Sequence, residues 1–431
     1  MKKIITTTLI CMMIGQLVQA QSDTIQYERR PFQFTFLFPP LSTNGVDNVK
    51  IINDVSLNLL IGVSGGVEAF EAGLLLNIDR YYVDGVQVAG FGNTVGGYTS
   101  GAQLAGFYNV SGAHSRGFQG AGFVNVTGSD LYGAQASGFA NVVGLGVKGF
   151  QGTGFVNVAG TSVKGAQVAG FVNVAGDTLD GFQGAGFLNI TGKAKKGVQA
   201  AGLGNVARGG ENHFQGAGFF NVAEEVKGAQ VAGFMNVADK VKGTQLAGFI
   251  NICDSIEGAP LAFISVVKQN GYRKFGFSVN EIQYANLHYK MGVKHLYNIY
   301  SFGKPFGPGS RWMFGGGLGT EIDLSENMML NIEGTVHQEL WIGNQANPYF
   351  LYIDRLNLYN SVKFLFGWNM ENQVAIHLGP TLNVSVANSN PDMGALAWHE
   401  IPPYSIFNNT SNNYNQTNVQ MWIGLQGSVS F

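Results

Sequence analysis

Two short glycine-containing motifs match the spacing of known active-site loops. The segment Gly62–Gly66 (GVSGG) has the G-x-S-x-G spacing of a nucleophile elbow, whose serine would here be Ser64. The segment Gly144–Gly149 (GLGVKG) has the G-x-G-x-x-G spacing of a dinucleotide-binding loop. Both motifs require a strand, a tight turn and a helix, whereas strand-like sequence follows each of them here. Because 62 residues are glycine, such spacings arise by chance, and neither motif predicts an enzyme.

The histidines and carboxylates show no catalytic or metal-ligand spacing. The seven histidines are His114, His213, His288, His295, His337, His377 and His399. None belongs to an H-E-x-x-H pair or a similar zinc-binding motif. Glu333 and Glu339 share one face of a predicted strand, where a polar wall explains them without catalysis. We therefore predict a protein that is not an enzyme, with no catalytic, cofactor-binding or metal-binding residues and no cofactor.

The N-terminus has the three parts of an export signal. Two lysines precede the apolar stretch Ile4–Val18, and Val18–Ala20 places small residues at a signal-peptidase site. We therefore predict a signal peptide over residues 1–20. Its removal leaves Cys253 as the only cysteine, so the exported chain forms no intramolecular disulfide.

The composition excludes several classes of protein. With 45% hydrophobic and only 12% charged residues, the 431-residue chain is too apolar to be disordered. A formal net charge of −2 provides no basic surface for nucleic acid. After the first 20 residues the sequence contains no apolar run long enough for a membrane-spanning helix. An all-β protein remains.

A nine-residue core, G-x-Q-x-A-G-F-x-N, recurs eleven times in the middle of the chain. Its glutamines are Gln87, Gln103, Gln119, Gln135, Gln151, Gln167, Gln183, Gln199, Gln215, Gln230 and Gln245. The period is 16 residues up to Gln215 and 15 for the last two steps, and an asparagine follows each glutamine after six positions. A fixed period of this kind indicates a repeat architecture, in which each unit packs on its neighbours.

Each repeat unit predicts one β-strand and a short return. Strand alternation would place Gln167, Phe171 and Asn173 on one face of the strand. In a parallel stack each buried amide donates to the same amide of the next coil, which satisfies groups that otherwise cost about 1–3 kcal/mol each. We therefore favour a β-solenoid. The alternative is an antiparallel meander, in which the repeats belong to one continuous large β-barrel.

The repeat pattern has clear ends. Pro260 stands where a twelfth glutamine belongs, and a proline cannot donate to a ladder. The sequence thus predicts a signal peptide at 1–20, an N-terminal β cap at 21–84, the repeat array at 85–263 and a separate domain at 264–431.

The last domain predicts an antiparallel β-barrel of the outer-membrane type. From about residue 272 the strands alternate cleanly, as where Ile376 and Leu378 flank His377. An apolar exterior over a polar interior is typical of such barrels, and about eight strands are enough to close one. Short turns that alternate with long loops favour the same fold. A soluble β-domain with one buried face is the alternative.

The repeat unit resembles that of a family of bacterial proteins described as surface repeat-containing proteins. The resemblance covers residues 85–251 closely and residues 55–77 more loosely, where Asn77 precedes Asn93 by 16 positions. It implies exposure at the cell envelope. It implies no activity and no catalytic residues.

These features predict an exported protein of the outer membrane or cell surface of a Gram-negative bacterium. The leading hypothesis is a non-enzymatic repeat platform that the barrel anchors, with a structural or adhesive role. Its partners would be outer-membrane lipids and an unidentified extracellular protein or glycan, and not nucleic acid. One alternative is an outer-membrane pore or transport protein formed by one large barrel. Another is an envelope hydrolase that uses Ser64.

Overall fold

The chain folds into two units that consist almost wholly of β-strands. The computed structural model describes residues 27–306, 311–341, 357–370, 374–388, 404–411 and 417–431. Contacts divide the chain into a first unit, Met1–Ala238, and a second unit, Asp239–Phe431. The predicted signal peptide at 1–20 and His399 lie outside the described residues.

A parallel β-solenoid of about 13 turns precedes the barrel. Its strands are β1 (Glu28–Leu37), β2 (Leu41–Ser42), β3 (Ile51–Gly73), β4 (Leu76–Ala89), β5 (Gly92–Val95), β6 (Tyr98–Ala105), β7 (Tyr108–Ser111), β8 (Ser115–Ala121), β9 (Val124–Thr127), β10 (Leu131–Ser137), β11 (Ala140–Val143), β12 (Val147–Thr153), β13 (Val156–Ala159), β14 (Val163–Ala169), β15 (Val172–Ala185), β16 (Leu188–Ala201), β17 (Gly204–Ala217), β18 (Phe220–Ala232), β19 (Met235–Val241), β20 (Thr244–Ala247), β21 (Ile250–Ile256), β22 (Pro260–Leu261) and β23 (Ile264–Val267). A short 3-10 helix, Gly45–Lys50, precedes β3.

Neighbouring coils pair in parallel and in register, so that equivalent residues lie side by side. Gln151 pairs with Gln135 on one side and with Gln167 on the other. Asn141 pairs with Asn157 in the same way. The predicted solenoid is confirmed, and the alternative of one continuous antiparallel barrel is wrong for the repeats.

A corner at Gly170 and Phe171 separates the two strands of a coil. Gln167 and Asn173 are fully buried on either side of this corner, whereas Phe171 is 38% exposed. The prediction that all three share one face is therefore wrong for the phenylalanine. Alternation along a strand does not continue through a corner, so the side chain of Phe171 lies on the outer surface.

Glycines at two positions of the central coils permit the close stacking of the backbone. Gly149 has a φ of +140°, and a Cβ there would lie 2.0 Å from the carbonyl oxygen of Gly133 in the preceding coil. At the corner, a Cβ on Gly154 would lie 2.3 Å from the carbonyl oxygen of Gly138. No larger residue fits these positions without moving a neighbouring coil, which accounts for the glycine-rich composition.

Two ladders of side-chain amides run through the coil interior. Gln151 Nε2 donates to Gln135 Oε1 (2.9 Å), and Gln167 Nε2 donates to Gln151 Oε1 (2.8 Å). The asparagine ladder runs in the opposite direction, since Asn141 Nδ2 donates to Asn157 Oδ1 (3.0 Å). The amide dipoles of the two ladders therefore oppose each other.

A column of buried apolar side chains also lies in the interior of the central coils. Its buried members are Leu131, Val143, Val147, Ala159, Val163, Ala175 and Leu179. Each coil thus combines apolar packing with amide hydrogen bonds, and the ladder amides also donate to the backbone, as where Asn141 Nδ2 donates to the carbonyl oxygen of Gly152 at 2.8 Å.

Parallel pairing also extends upstream of residue 85, into the segment expected to cap the array. Strand β1 pairs in parallel with β3, and β3 pairs in parallel with β4. There Glu71 lies beside Gln87, at the position that glutamine occupies in later coils. At the other end Pro260 lies beside Gln245, as the repeat pattern indicates.

The second unit contains a closed antiparallel barrel of eight strands. Its strands are β24 (Tyr272–Asn280), β25 (Gln283–Val293), β26 (Leu296–Pro305), β27 (Arg311–Asp323), β28 (Met328–Trp341), β29 (Asn357–Asn369), β30 (Ala375–Asn388) and β32 (Thr417–Ser430), and a short strand, β31 (Phe407–Thr410), pairs with β32. Strand β24 pairs with β32 and closes the barrel. Apolar side chains face outward, as for Leu378, whereas His337 and His377 are buried inside.

We expect Gln167→Glu to destabilise the solenoid by a few kcal/mol at neutral pH, because it buries a charge and removes a ladder donor. Thermal unfolding followed by far-UV circular dichroism measures the effect. Thr161→Glu adds the same charge at an exposed corner of a nearby coil and should change the melting temperature little. Equal melting of the two variants would contradict the ladder.

Candidate functional site

The serine of the G-x-S-x-G motif lies inside the solenoid. Ser64 lies within the long strand β3 and has no exposed surface. Its hydroxyl donates to Asp79 Oδ1 at 2.5 Å. A nucleophile elbow requires an exposed serine at a strand-to-helix turn. Ser64 has neither feature, and its hydroxyl serves as an interior hydrogen-bond donor.

The G-x-G-x-x-G segment is part of the repeat backbone. Gly144 lies at a coil corner, and strand β12 begins at Val147 instead of a helix. The positive φ of Gly149 belongs to the position that every neighbouring coil also fills with glycine. This segment therefore lacks the helix N-terminus on which a dinucleotide phosphate would lie.

Two buried carboxyl groups end the glutamine ladder at its N-terminal side. Glu71 and Asp79 are at most 1% exposed. Gln87 Nε2 donates to both of them, at 2.7 Å to Glu71 Oε2 and 2.5 Å to Asp79 Oδ2. Asn58 Nδ2 also donates to Glu71 Oε1 at 2.8 Å. The pair thus provides acceptors for the last ladder donor, which has no further glutamine beyond it.

Burial raises the pKa of both carboxyls, since the coil interior disfavours their charged forms. The neighbouring charge of Glu71 raises the pKa of Asp79 further. Like charges this close do not both ionise readily, so the site favours a shared proton. The nine-residue repeat pattern does not predict this pair. One further step of 16 residues upstream from Gln87 leads to Glu71 and would have found it.

The interior of the barrel holds paired charges. Lys290 forms an ion pair with Glu333, and Tyr297 donates to the same carboxylate at 3.1 Å. Arg311 forms a second ion pair, at 3.0 Å, with Glu339. The two glutamates that share a strand face therefore each have a cationic partner of their own, and they form no acid–base pair with each other.

Histidine rings inside the barrel lie against glycines of the neighbouring strands. The cross-strand pairs are His288 with Gly276, His337 with Gly315, and His377 with Gly367. A Cβ on Gly315 would lie 2.4 Å from the His337 ring. Each glycine leaves space for one imidazole ring. The rings therefore occupy part of the barrel interior. His337 and His377 line this interior, as the sequence indicates.

The described residues provide neither a metal-ligand cluster nor a reactive thiol. Across the parts of the chain that the structure describes, no three His, Cys, Asp or Glu side chains come together to hold a metal ion. Cys253 is buried in β21, and burial raises the pKa of its thiol to about 11. Such a thiol stays protonated at neutral pH and is a poor nucleophile.

Phenylalanines at the coil corners form a row on the outer surface of the first unit. This row, called the Phe ridge below, comprises Phe91, Phe107, Phe123, Phe139, Phe155, Phe171, Phe187, Phe219 and Phe234. Adjacent rings are nearly parallel, with centroids 4.7–5.1 Å apart, and Leu203 interrupts the row once. The side chains are 38–46% exposed. The faces of the rings cover one another, so their edges form the surface.

Among the described residues, no helix has the length and apolar character required to cross a membrane. No protein-family model, curated protein or solved structure matches the chain.

The carboxyl pair predicts a pH-dependent stability of the first unit. The raised pKa values mean that the native state binds protons more tightly than the unfolded state does. The contribution of the pair to the free energy of unfolding is therefore greatest below the unfolded carboxyl pKa of about 4, and it falls as the pH rises above that value. Glu71→Gln removes one of these groups and keeps an acceptor for Gln87, so its stability should fall less between pH 4 and pH 8.

Thermal unfolding at several pH values measures this difference. Asp84→Asn removes a carboxylate from the exposed surface nearby and serves as the control. If Glu71→Gln and the parent chain lost stability equally as the pH rises, the buried pair would not be the cause.

Proposed function

We propose that this chain is an outer-membrane protein whose eight-stranded barrel lies in the lipid bilayer and anchors the solenoid, which has a structural role at the cell envelope. The distribution of side chains in the barrel carries the proposal. Phe364 and Leu378 on the outer wall are 42% and 48% exposed, whereas the side chains of Lys290 and Glu333 inside are 2% and 3% exposed. This order is the reverse of that in a water-soluble protein.

The outer wall is apolar on each strand of the barrel. Its exposed members include Phe277, Tyr284, Phe302, Phe314, Val336, Phe364, Leu378 and Leu425. An exposed apolar surface larger than a few hundred Å² marks an interaction site. A closed barrel has no second sheet to cover such a wall, so hydrocarbon is the environment that stabilises it. This supports the membrane barrel over the soluble β-domain.

Connection lengths support the periplasmic side as the location of the coils. The chain enters the barrel at Tyr272, at the same end as the short turns after Val293 and Asp323. The long connections, 342–356 and 389–406, belong to the opposite end. Outer-membrane barrels have short periplasmic turns and longer external loops. A periplasmic solenoid favours a structural role over an adhesive one, whereas the resemblance to surface repeat-containing proteins implies exposure at the cell envelope.

The alternative function, a transport pore, requires an open path through the barrel. Lys290, Tyr297, Glu333 and His337 occupy the interior and are at most 3% exposed, so the anchor is the better-supported function. We expect the purified protein to give no stable channel currents in planar bilayers, where a porin measured alongside serves as the positive control. Stable stepwise currents from well-folded protein would favour the pore.

We expect the chain to remain in the outer-membrane fraction after a carbonate wash. Val362 lies near the middle of β29 on the lipid-facing wall, and Val362→Arg should reduce folded protein there, because an arginine at mid-membrane costs about 2–4 kcal/mol. Asn327→Arg, in the exposed turn between β27 and β28, is the matched control and should insert normally. Recovery of the parent chain in the soluble periplasm would overturn the anchor.

Protease treatment of the same cells tests on which side of the outer membrane the solenoid lies. Protease added to intact cells should leave the coils uncut, and permeabilising the outer membrane should expose them. Release of repeat peptides from intact cells would instead support an external platform.

A further inference from the structure

The Phe ridge is larger than an ordinary apolar patch. Nine rings of about 200 Å² each, at the exposures given above, leave roughly 700 Å² of hydrocarbon accessible. The largest patch on a typical monomer is about 300–600 Å² and is often functional. A second apolar row flanks the ridge. It consists of Leu104, Phe118, Phe150, Val168, Phe182, Phe214 and Val231, which are 37–42% exposed.

We propose that the Phe ridge binds phospholipid and is seated in the acyl-chain region of a membrane leaflet. The solenoid would then be an amphipathic element that lies in the membrane surface along its ridge. This inference rests on the proposed outer-membrane function, since the anchor brings the coils to the lipid.

Hydrogen bonding argues against a polar ligand on the ridge. The backbone at the corners is already bonded between coils, as where Phe171 N donates to the carbonyl oxygen of Phe155 (3.1 Å) and Val172 N donates to the same oxygen (3.0 Å). A protein interface usually contains one hydrogen bond per 100–200 Å². The ridge exposes only the C–H edges of its rings. Acyl chains pack against such a surface without needing hydrogen bonds.

Stacking argues against a sugar on the ridge. Carbohydrates pack on the exposed faces of aromatic rings, whereas the faces of Phe139, Phe155 and Phe171 are covered by their neighbours at 4.8–5.1 Å. Of the partners expected from the sequence, a glycan therefore fits this surface poorly.

Charged and amphipathic residues border the apolar surface. Arg116, Tyr132, Lys148 and Lys164 occupy one position in four successive coils, on the strand that leads to the ridge. Lys148 Nζ lies 4.9 Å from the centre of the Tyr132 ring. Tyrosine, lysine and arginine are the residues that border hydrocarbon at membrane surfaces, where their polar ends reach the headgroups. This border therefore suits lipid phosphates.

In the second unit the apolar corner of a coil joins the outer wall of the barrel. Asn298 Nδ2 donates to the carbonyl oxygen of Ala262 (2.6 Å), and this bond holds the last coil against β26. Phe263 packs edge-on against Tyr300, with centroids 5.7 Å apart, and is 55% exposed. Phe263 and the outward-facing Phe314 line one groove. The last corner phenylalanine thus contacts the wall that the proposed function places in lipid.

Area alone would also permit a second copy of the chain on the ridge, because a stable interface buries about 800 Å² on each partner. The bordering cations and the lack of free hydrogen-bonding groups on the ridge favour lipid. Pairing of two copies is therefore an outcome that the test must distinguish.

The test places an environment-sensitive fluorophore on single cysteines of the full mature chain in the Cys253→Ala background. The labelled variants are Phe155→Cys and Phe123→Cys on the ridge, Thr161→Cys at the exposed corner, and Val362→Cys on the barrel wall. Each is reconstituted in vesicles of phosphatidylethanolamine and phosphatidylglycerol. Acyl-chain nitroxide lipids and aqueous iodide serve as the two quenchers.

We expect nitroxide lipid to quench the labels at positions 155 and 123 severalfold more than the label at position 161, with iodide showing the reverse order. Iodide quenching of the ridge labels as strong as that at position 161 would overturn the inference. Protection of the ridge labels from both quenchers, with cross-linking between copies, would overturn it in favour of self-association. The label at position 362 separates the two proposals, because loss of its lipid quenching would mean that the anchor itself is wrong.

Discussion

The solenoid depends on one constraint, which is that an amide withdrawn from water must find a hydrogen-bond partner. In the solenoid, backbone carbonyl oxygens accept part of these bonds, as Gly152 does from Asn141 Nδ2. The same amide in the next coil is the other partner, and it lies at the spacing of adjacent strands. Glutamine and asparagine are therefore retained in register along the array, and glycines at fixed positions let the coils approach closely enough for the ladder to form.

A ladder has direction, and its ends need special residues. On the N-terminal side the last donor, Gln87, meets the carboxyl pair of Glu71 and Asp79. On the other side Pro260 takes the ladder position and adds no donor. The buried carboxyls thus have a structural explanation that is independent of catalysis. The burial of Ser64 against Asp79 has the same origin, because its hydroxyl supplies one more donor to this carboxyl pair.

In the barrel, charged side chains lie inside and apolar side chains cover the outer wall. Its ion pairs and its glycine-packed imidazoles lie inside, and the exposed residues of its outer wall are aromatic and aliphatic. The solenoid shares part of this inversion, since amide ladders occupy part of its interior and its corners carry exposed phenylalanine. Under the two proposals, the outward hydrocarbon of both parts faces lipid. That shared feature connects the proposed anchor with the proposed lipid contact of the Phe ridge.

The sequence by itself determined the period, the register of the ladders, the proline that ends them and the alternation of the barrel strands, because each depends on residue spacing alone. Tertiary structure decided the rest. A period of 16 fits both stacked coils and barrel strands, and only the chain direction through each corner separates them. The corner at Gly170 and Phe171 turns the phenylalanine outward, although strand alternation assigns it to the buried face. An equivalent corner between β3 and β4 brings Glu71 and Asp79 together, although they lie on different strands.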